Sequence, residues 1–102
     1  MIKTDNLQRP TIYLNISQAF LRLGDDDLAR ITCERGIKQF PSDASLHVQR
    51  GIALIKSYNR GRKKEDIIQA TRSFEKSIAI DPDNYLVLML SAKIYLKIKG
   101  RI

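Results

Sequence analysis

The chain is poor in reactive side chains. It has one cysteine, one histidine and no tryptophan in 102 residues. A single cysteine excludes an internal disulfide framework, so nothing argues for an oxidising compartment. With one histidine, no second imidazole is present to serve as base for a thiol or serine nucleophile. Phosphate loops, paired-carboxylate motifs and metal-ligand spacings are missing too. These gaps argue against an enzyme and against any metal or cofactor. Long apolar runs are also lacking. The longest, "YLVLMLSA", is followed by Lys93 and is too short to span a bilayer. The opening "MIKTDNLQRP" has no apolar stretch of the signal-peptide kind. The expectation is one cytoplasmic domain without a membrane span, whose 43% hydrophobic residues suffice for a modest core.

What the chain does have is internal repetition. "CERGIKQFPSD" (33–43) and "FEKSIAIDPDN" (74–84) share one layout, with Pro41 matching Pro82. Ile37 pairs with Ile78, Gly36 with Ser77, Cys33 with Phe74 and Ala29 with Ala70, each 41 residues apart. Upstream, Tyr13, Ser17 and Phe20 recur 34 residues on as His47, Gly51 and Leu54, and after a further 41 as Leu88, Ala92 and Tyr95. The apolar positions keep a 3.6-residue period, and each proline pushes the residue before it out of the α region, so each marks a helix end. Self-similarity of this size signals a repeat architecture.

The layout resembles the tetratricopeptide repeat (TPR) family. A helix with a bulky residue, a small one and an aromatic is followed by a turn. A second helix then brings alanine, an aromatic, a small residue and an aliphatic, closed by proline. Residues 1–9 form an N-terminal extension. Repeat one, 10–43, keeps Tyr13, Phe20, Gly24, Ala29, Ile37 and Pro41, but departs from the pattern at Ser17 and Cys33. Repeat two, 44–84, keeps Gly51, Ala70, Phe74, Ile78 and Pro82, has Leu54 for the first-helix aromatic and carries seven extra residues. Residues 85–102 read as the first helix of a third repeat or a capping helix. The resemblance implies an all-α, antiparallel helix-hairpin repeat, an α-solenoid of five main helices. Gly24 suits the left-handed position ending the first helix, and Asp25, Asp26 and Asp27 read as N-terminal caps rather than a calcium loop. Cys33 and His47 fall at packing positions.

In this architecture the first helices line a concave groove. The register assigns to it Leu14, Gln18 and Leu21, then Val48, Ile52 and Ile55, then Met89, Lys93 and Leu96. Arg22, Lys56 and Lys97 each follow one residue after a stripe. The result is an apolar floor with a basic edge, suited to an apolar and acidic segment of a partner protein bound at roughly micromolar affinity. TPR domains that grip acidic chaperone tails use lysine, asparagine and arginine at places held here by Leu14, Gln18, Gln49, Leu86 and Leu90, so chaperone-like modules that cradle apolar segments match better. The function expected is a non-catalytic protein-protein interaction adaptor.

Two alternatives come from the rest of the chain. The insertion, "IKSYNRGRKKEDIIQ", predicts a helix to about Tyr58, a turn near 59–62 and a helix from about Lys63 to Ile80, together a protruding hairpin. Its basic cluster Arg60, Arg62, Lys63 and Lys64, in a chain of net charge +7, could meet nucleic acid or an anionic surface, although no nucleic-acid motif accompanies it. The last helix is apolar on more than one face. Leu86, Val87, Leu90 and Ile94 there predict self-association, as a homodimer or a self-assembling scaffold.

Overall fold

A computed structural model describes residues 9–99; the side chains of residues 91 and 94–99 lie outside the description. Five helices follow one another: α1 (Pro10–Arg22), α2 (Asp26–Gln39), α3 (Ala44–Gly61), α4 (Lys64–Ile80) and α5 (Tyr85–Lys99). All regular structure among the described residues is helical, arranged as two hairpins, α1–α2 and α3–α4, with α5 packed against α4.

The helix boundaries follow from local chemistry. Pro10 sits in the first turn of α1, where its missing N–H costs nothing. Leu23 ends that helix and Gly24 takes the left-handed conformation at φ 81°. Asp25 then caps α2, accepting from the Leu28 amide at 3.0 Å. Asp43 does the same for Leu46 at 3.0 Å, and Asn84 receives the Val87 amide at 3.3 Å. Each cap satisfies an amide that the helix leaves without a partner. Pro41 and Pro82 lie in the turns that follow α2 and α4.

The two hairpins close by the same crossing, filled in opposite ways. At Gly51 the missing side chain admits the Phe74 ring; a Cβ there would stand 2.7 Å from it. At the matching place in the first hairpin, Ser17 meets Cys33, Oγ to Sγ 3.1 Å, and the hydroxyl also donates to the Ala29 carbonyl at 3.2 Å. The two departures from the family pattern are therefore a matched pair. A larger residue on the first helix is met by a smaller one on the second. Ala29, Cys33, Ala70 and Ser77 are all fully buried at these crossings. Leu54, Ala70 and Phe74 form the core cluster, with Val48, Ile52, Ile55 and Leu90 packed on it.

The insertion differs from expectation at its tip. The helix does not stop near Tyr58 but continues through Gly61, and Arg62 turns the chain in the left-handed conformation at φ 61°. Arg60 explains the extension. Its guanidinium donates to the Gly24 carbonyl at 2.7 Å and pairs with Asp26 at 3.1 Å, which holds the last turn of α3 against the α1–α2 turn. Ser57 donates to Asp66 at 2.8 Å across the hairpin. The lengthened hairpin is thus tied back onto the first repeat instead of projecting free.

Two glycine substitutions should act in opposite directions. Gly51→Ala forces a Cβ against the buried Phe74 ring, and the strain, about 1–3 kcal/mol, outweighs the better helix propensity of alanine. Gly61→Ala meets nothing within 4 Å and should gain about 0.5–1 kcal/mol. Thermal melts of the two variants should therefore move to opposite sides of the parent's.

Candidate interaction surface

The first-helix surface brings some of the expected groove together. Gln18, Leu21 and Arg22 of α1 and Lys56 of α3 line one open depression of about 330 Å³. Leu14 and Leu21 are half-buried, while Gln18, Arg22 and Lys56 are exposed. In the middle repeat the stripe divides its work. Val48, Ile52 and Ile55 are half-buried because they pack on the Leu54–Phe74 cluster, and offer only part of their surface. On α5, Met89 is 56% exposed and Lys93 is exposed, whereas the side chains of Leu96 and Lys97 lie outside the described residues.

The basic cluster at the hairpin tip is partly engaged. Arg60 is held by Asp26 and Gly24, and the Arg62 guanidinium lies 5.4 Å from the centre of the Tyr58 ring, a cation–π distance. Lys63 and Lys64 are exposed. Beneath the tip runs a second cleft, about 480 Å³, lined by Asp25, Asp26, Asp27, Ser57, Arg60 and Asp66 among others. Three of its four acids have local duties: Asp25 caps α2, the buried Asp26 faces Arg60, and Asp66 accepts from Ser57.

Of the four side chains expected to drive self-association, Val87 is buried and Leu90 packs on the core cluster, so both are spent within the chain. The covering of Leu90 comes from Leu54 of α3 and Ala70 and Phe74 of α4, which a reading of α5 alone could not supply. Leu86 is 69% exposed, and Ile94 lies outside the described side chains. Leu88 and Tyr85 are exposed beside it, at 37% and 81%.

Sequence reasoning missed Arg50. This residue bridges three helices: its Nε meets Glu34 of α2 at 2.9 Å, and its other nitrogens donate to Ser73 at 2.6 Å and Gln69 at 3.2 Å on α4. Glu34 is also held by Arg30 at 3.0 Å. An arginine flanking a small-residue position gives no sequence signal of such a role. The two residues with chemical potential are structurally occupied. His47 is buried with Nε2 2.9 Å from the Pro41 carbonyl, tying α3 to the preceding turn. Burial pushes the Cys33 thiol up to about 11, against a smaller opposing effect from the Ser17 hydrogen bond.

A tetratricopeptide-repeat family model matches residues 10–43, which comprise the first hairpin and its turns. The first hairpin is a tetratricopeptide repeat. The helix pairs, the small-residue crossings and the proline turns carry the same plan through α3 and α4. A relative among curated proteins is "FK506-binding protein-like" from Mus musculus, 31% identical over 77 residues. That alignment takes in 76% of this chain but 20% of the mouse protein, so the chain spans about a fifth of the relative's length. No solved structure matches. Among the described residues, no helix is long and apolar enough to cross a membrane.

The Cys33 shift sets a pH dependence. Its thiol keeps its proton longer when folded, so between the ordinary value of 9.0 and about 11 the folded state binds more protons than the unfolded one. Stability is then full below pH 9 and falls as pH rises towards 11, by on the order of 2 kcal/mol from this group. Urea unfolding of the parent and of Cys33→Ala at pH 8 and pH 11 isolates the effect: the drop should be smaller in the variant.

Proposed function

We propose that this chain is a non-catalytic adaptor whose concave first-helix surface receives an apolar and acidic segment of a partner protein. A protein-interaction role accords with the TPR family; the groove assignment is our own reading. The observation that carries it is the depression at Gln18, Leu21, Arg22 and Lys56, where a half-buried leucine meets two cations from successive repeats. The charge pattern along the helices supports an acidic component. None of the three first helices, α1, α3 and α5, contains an aspartate or glutamate. Arg22 and Lys56 therefore meet no like-helix carboxylate, and a partner's carboxylates would supply the complement.

Nucleic-acid binding finds less support, because Arg60 and Arg62 of the tip cluster are engaged within the chain. Salt separates the two readings. Phosphate binding through several lysines and arginines weakens steeply with added salt, whereas an apolar groove with one or two ionic contacts responds mildly.

Peptides selected by phage display on the parent protein test the proposal. They should combine aliphatic and acidic residues, and Gln18→Glu with Lys56→Glu should weaken them at least ~10-fold through like-charge repulsion, with the melting temperature unchanged. Selected peptides that bind the double variant as tightly as the parent would show that the segment docks elsewhere.

A further inference from the structure

A segment in the concave groove can lie there as a helix or as an extended strand, and the spacing of the groove's cations distinguishes the two. Arg22 and Lys56 hold equivalent places 34 residues apart. Both line the same depression, both are exposed, and neither has an ion-pair partner among the described residues. Their helices, α1 and α3, are in contact and are pinned side by side at this end. Arg60, one turn beyond Lys56 on α3, donates to the Gly24 carbonyl at 2.7 Å and pairs with the buried Asp26 at 3.1 Å, just past the end of α1. The two cations therefore grow from places whose separation is set by the packing of neighbouring helices, roughly 8–10 Å.

That separation suits a helix. Residues seven apart on an α-helix are about 10.5 Å apart along its axis, and seven residues are close to two full turns, so both side chains share one face. A helix laid across α1 and α3 thus offers residues i and i+7 to the two cations without distortion. An extended strand covers the same span in about three residues at ~3.3 Å each, and an odd step puts the two side chains on opposite faces. Only one of its acids could then reach the row. The other dimension agrees. Leu14 and Arg22 lie eight residues apart on α1, as do Val48 and Lys56 on α3. Eight residues of helix measure about 12 Å, close to the diameter of a helix with its side chains. With half-buried Leu14 and Val48 on one border and exposed cations on the other, the groove matches a helix with aliphatics on one flank and acids on the other.

We infer that the groove takes an amphipathic α-helix of a partner protein, lying across α1 and α3, with carboxylates at i and i+7 on Arg22 and Lys56 and aliphatics three or four residues from each acid. This assignment rests on the groove proposed above, and adds the partner's conformation and its acid spacing.

Three fluorescein-labelled peptides on an alanine and glutamine background, each with two glutamates and two leucines, are titrated against the full chain by fluorescence anisotropy. The first is side-chain-stapled as a helix, with glutamates at i and i+7 and leucines at i+3 and i+10. The second is stapled likewise but has its glutamates at i and i+5, on different faces. The third is the first without its staple and with a central proline. The first should bind, and the other two at least ~10-fold more weakly. Arg22→Glu and Lys56→Glu should each weaken the first peptide about 5-fold. Exchanging its glutamate at i for lysine should restore binding to one of these variants, and the same exchange at i+7 to the other. Both side chains are exposed, so melting temperatures should hold; Arg22→Gln and Lys56→Gln carry the comparison if a reversal unfolds the chain. If the second or third peptide binds as well as the first and the charge variants still weaken it, the helix is overturned and the groove stands. Binding that ignores Arg22→Glu and Lys56→Glu overturns the groove as well. If the first peptide does not bind, the helical assignment fails, while the phage-selected peptides still report on the groove.

Discussion

Everything in this fold depends on how closely two helices can approach at one crossing. A helix pair of this length buries little by itself, and the apolar contact it achieves scales with how far the backbones sink towards each other. Gly51 under Phe74 and Ser17 beside Cys33 are two solutions of equal purpose. In each, volume removed from one helix is returned by the other, so packing density is kept while the side chains change. The position is constrained as a pair and free as individuals.

Polar contacts then fix what packing leaves loose. Helix faces of aliphatic residues can slide by a turn at small cost, but arginine in a fixed fork cannot. Arg50 holds α2, α3 and α4 in one register through Glu34, Ser73 and Gln69, and Arg60 binds the hairpin tip to the first turn. Since the carboxylates sit on second helices and turns and the first helices are purely cationic, these contacts have one direction. The uncompensated positive surface along the first helices is the counterpart of that arrangement.

Most of the fold could be read from the sequence because its determinants are local and repeat. Pro41 and Pro82, the caps at Asp25 and Asp43 and the alanines at 29 and 70 each act within a few residues of where they stand, and each appears twice or more. The hairpin tip was less legible. Asn59 and Gly61 read as breakers, yet Arg60 finds partners 34 and 36 residues away that stabilise another turn of helix. The surface was legible by register but not by burial. Periodicity places Val48, Ile52 and Ile55 on the groove stripe, and cannot tell that the Leu54–Phe74 cluster also claims them, or that Val87 and Leu90 turn inward. Long-range contact decides those cases.

Arg50 also bears on how such an array comes apart. A linear stack opens from its ends, and the junction between opened and intact helices moves along it one element at a time. With 19% of its side chain exposed, Arg50 would lose its carboxylate partner if α2 detached from α3, leaving a largely desolvated cation without its counter-charge. That makes the α2–α3 boundary a costly place for the junction to rest. Opening from the α1 end is then arrested before α2 leaves or runs on through the second hairpin, so the last four helices behave closer to one cooperative block than their modular sequence implies.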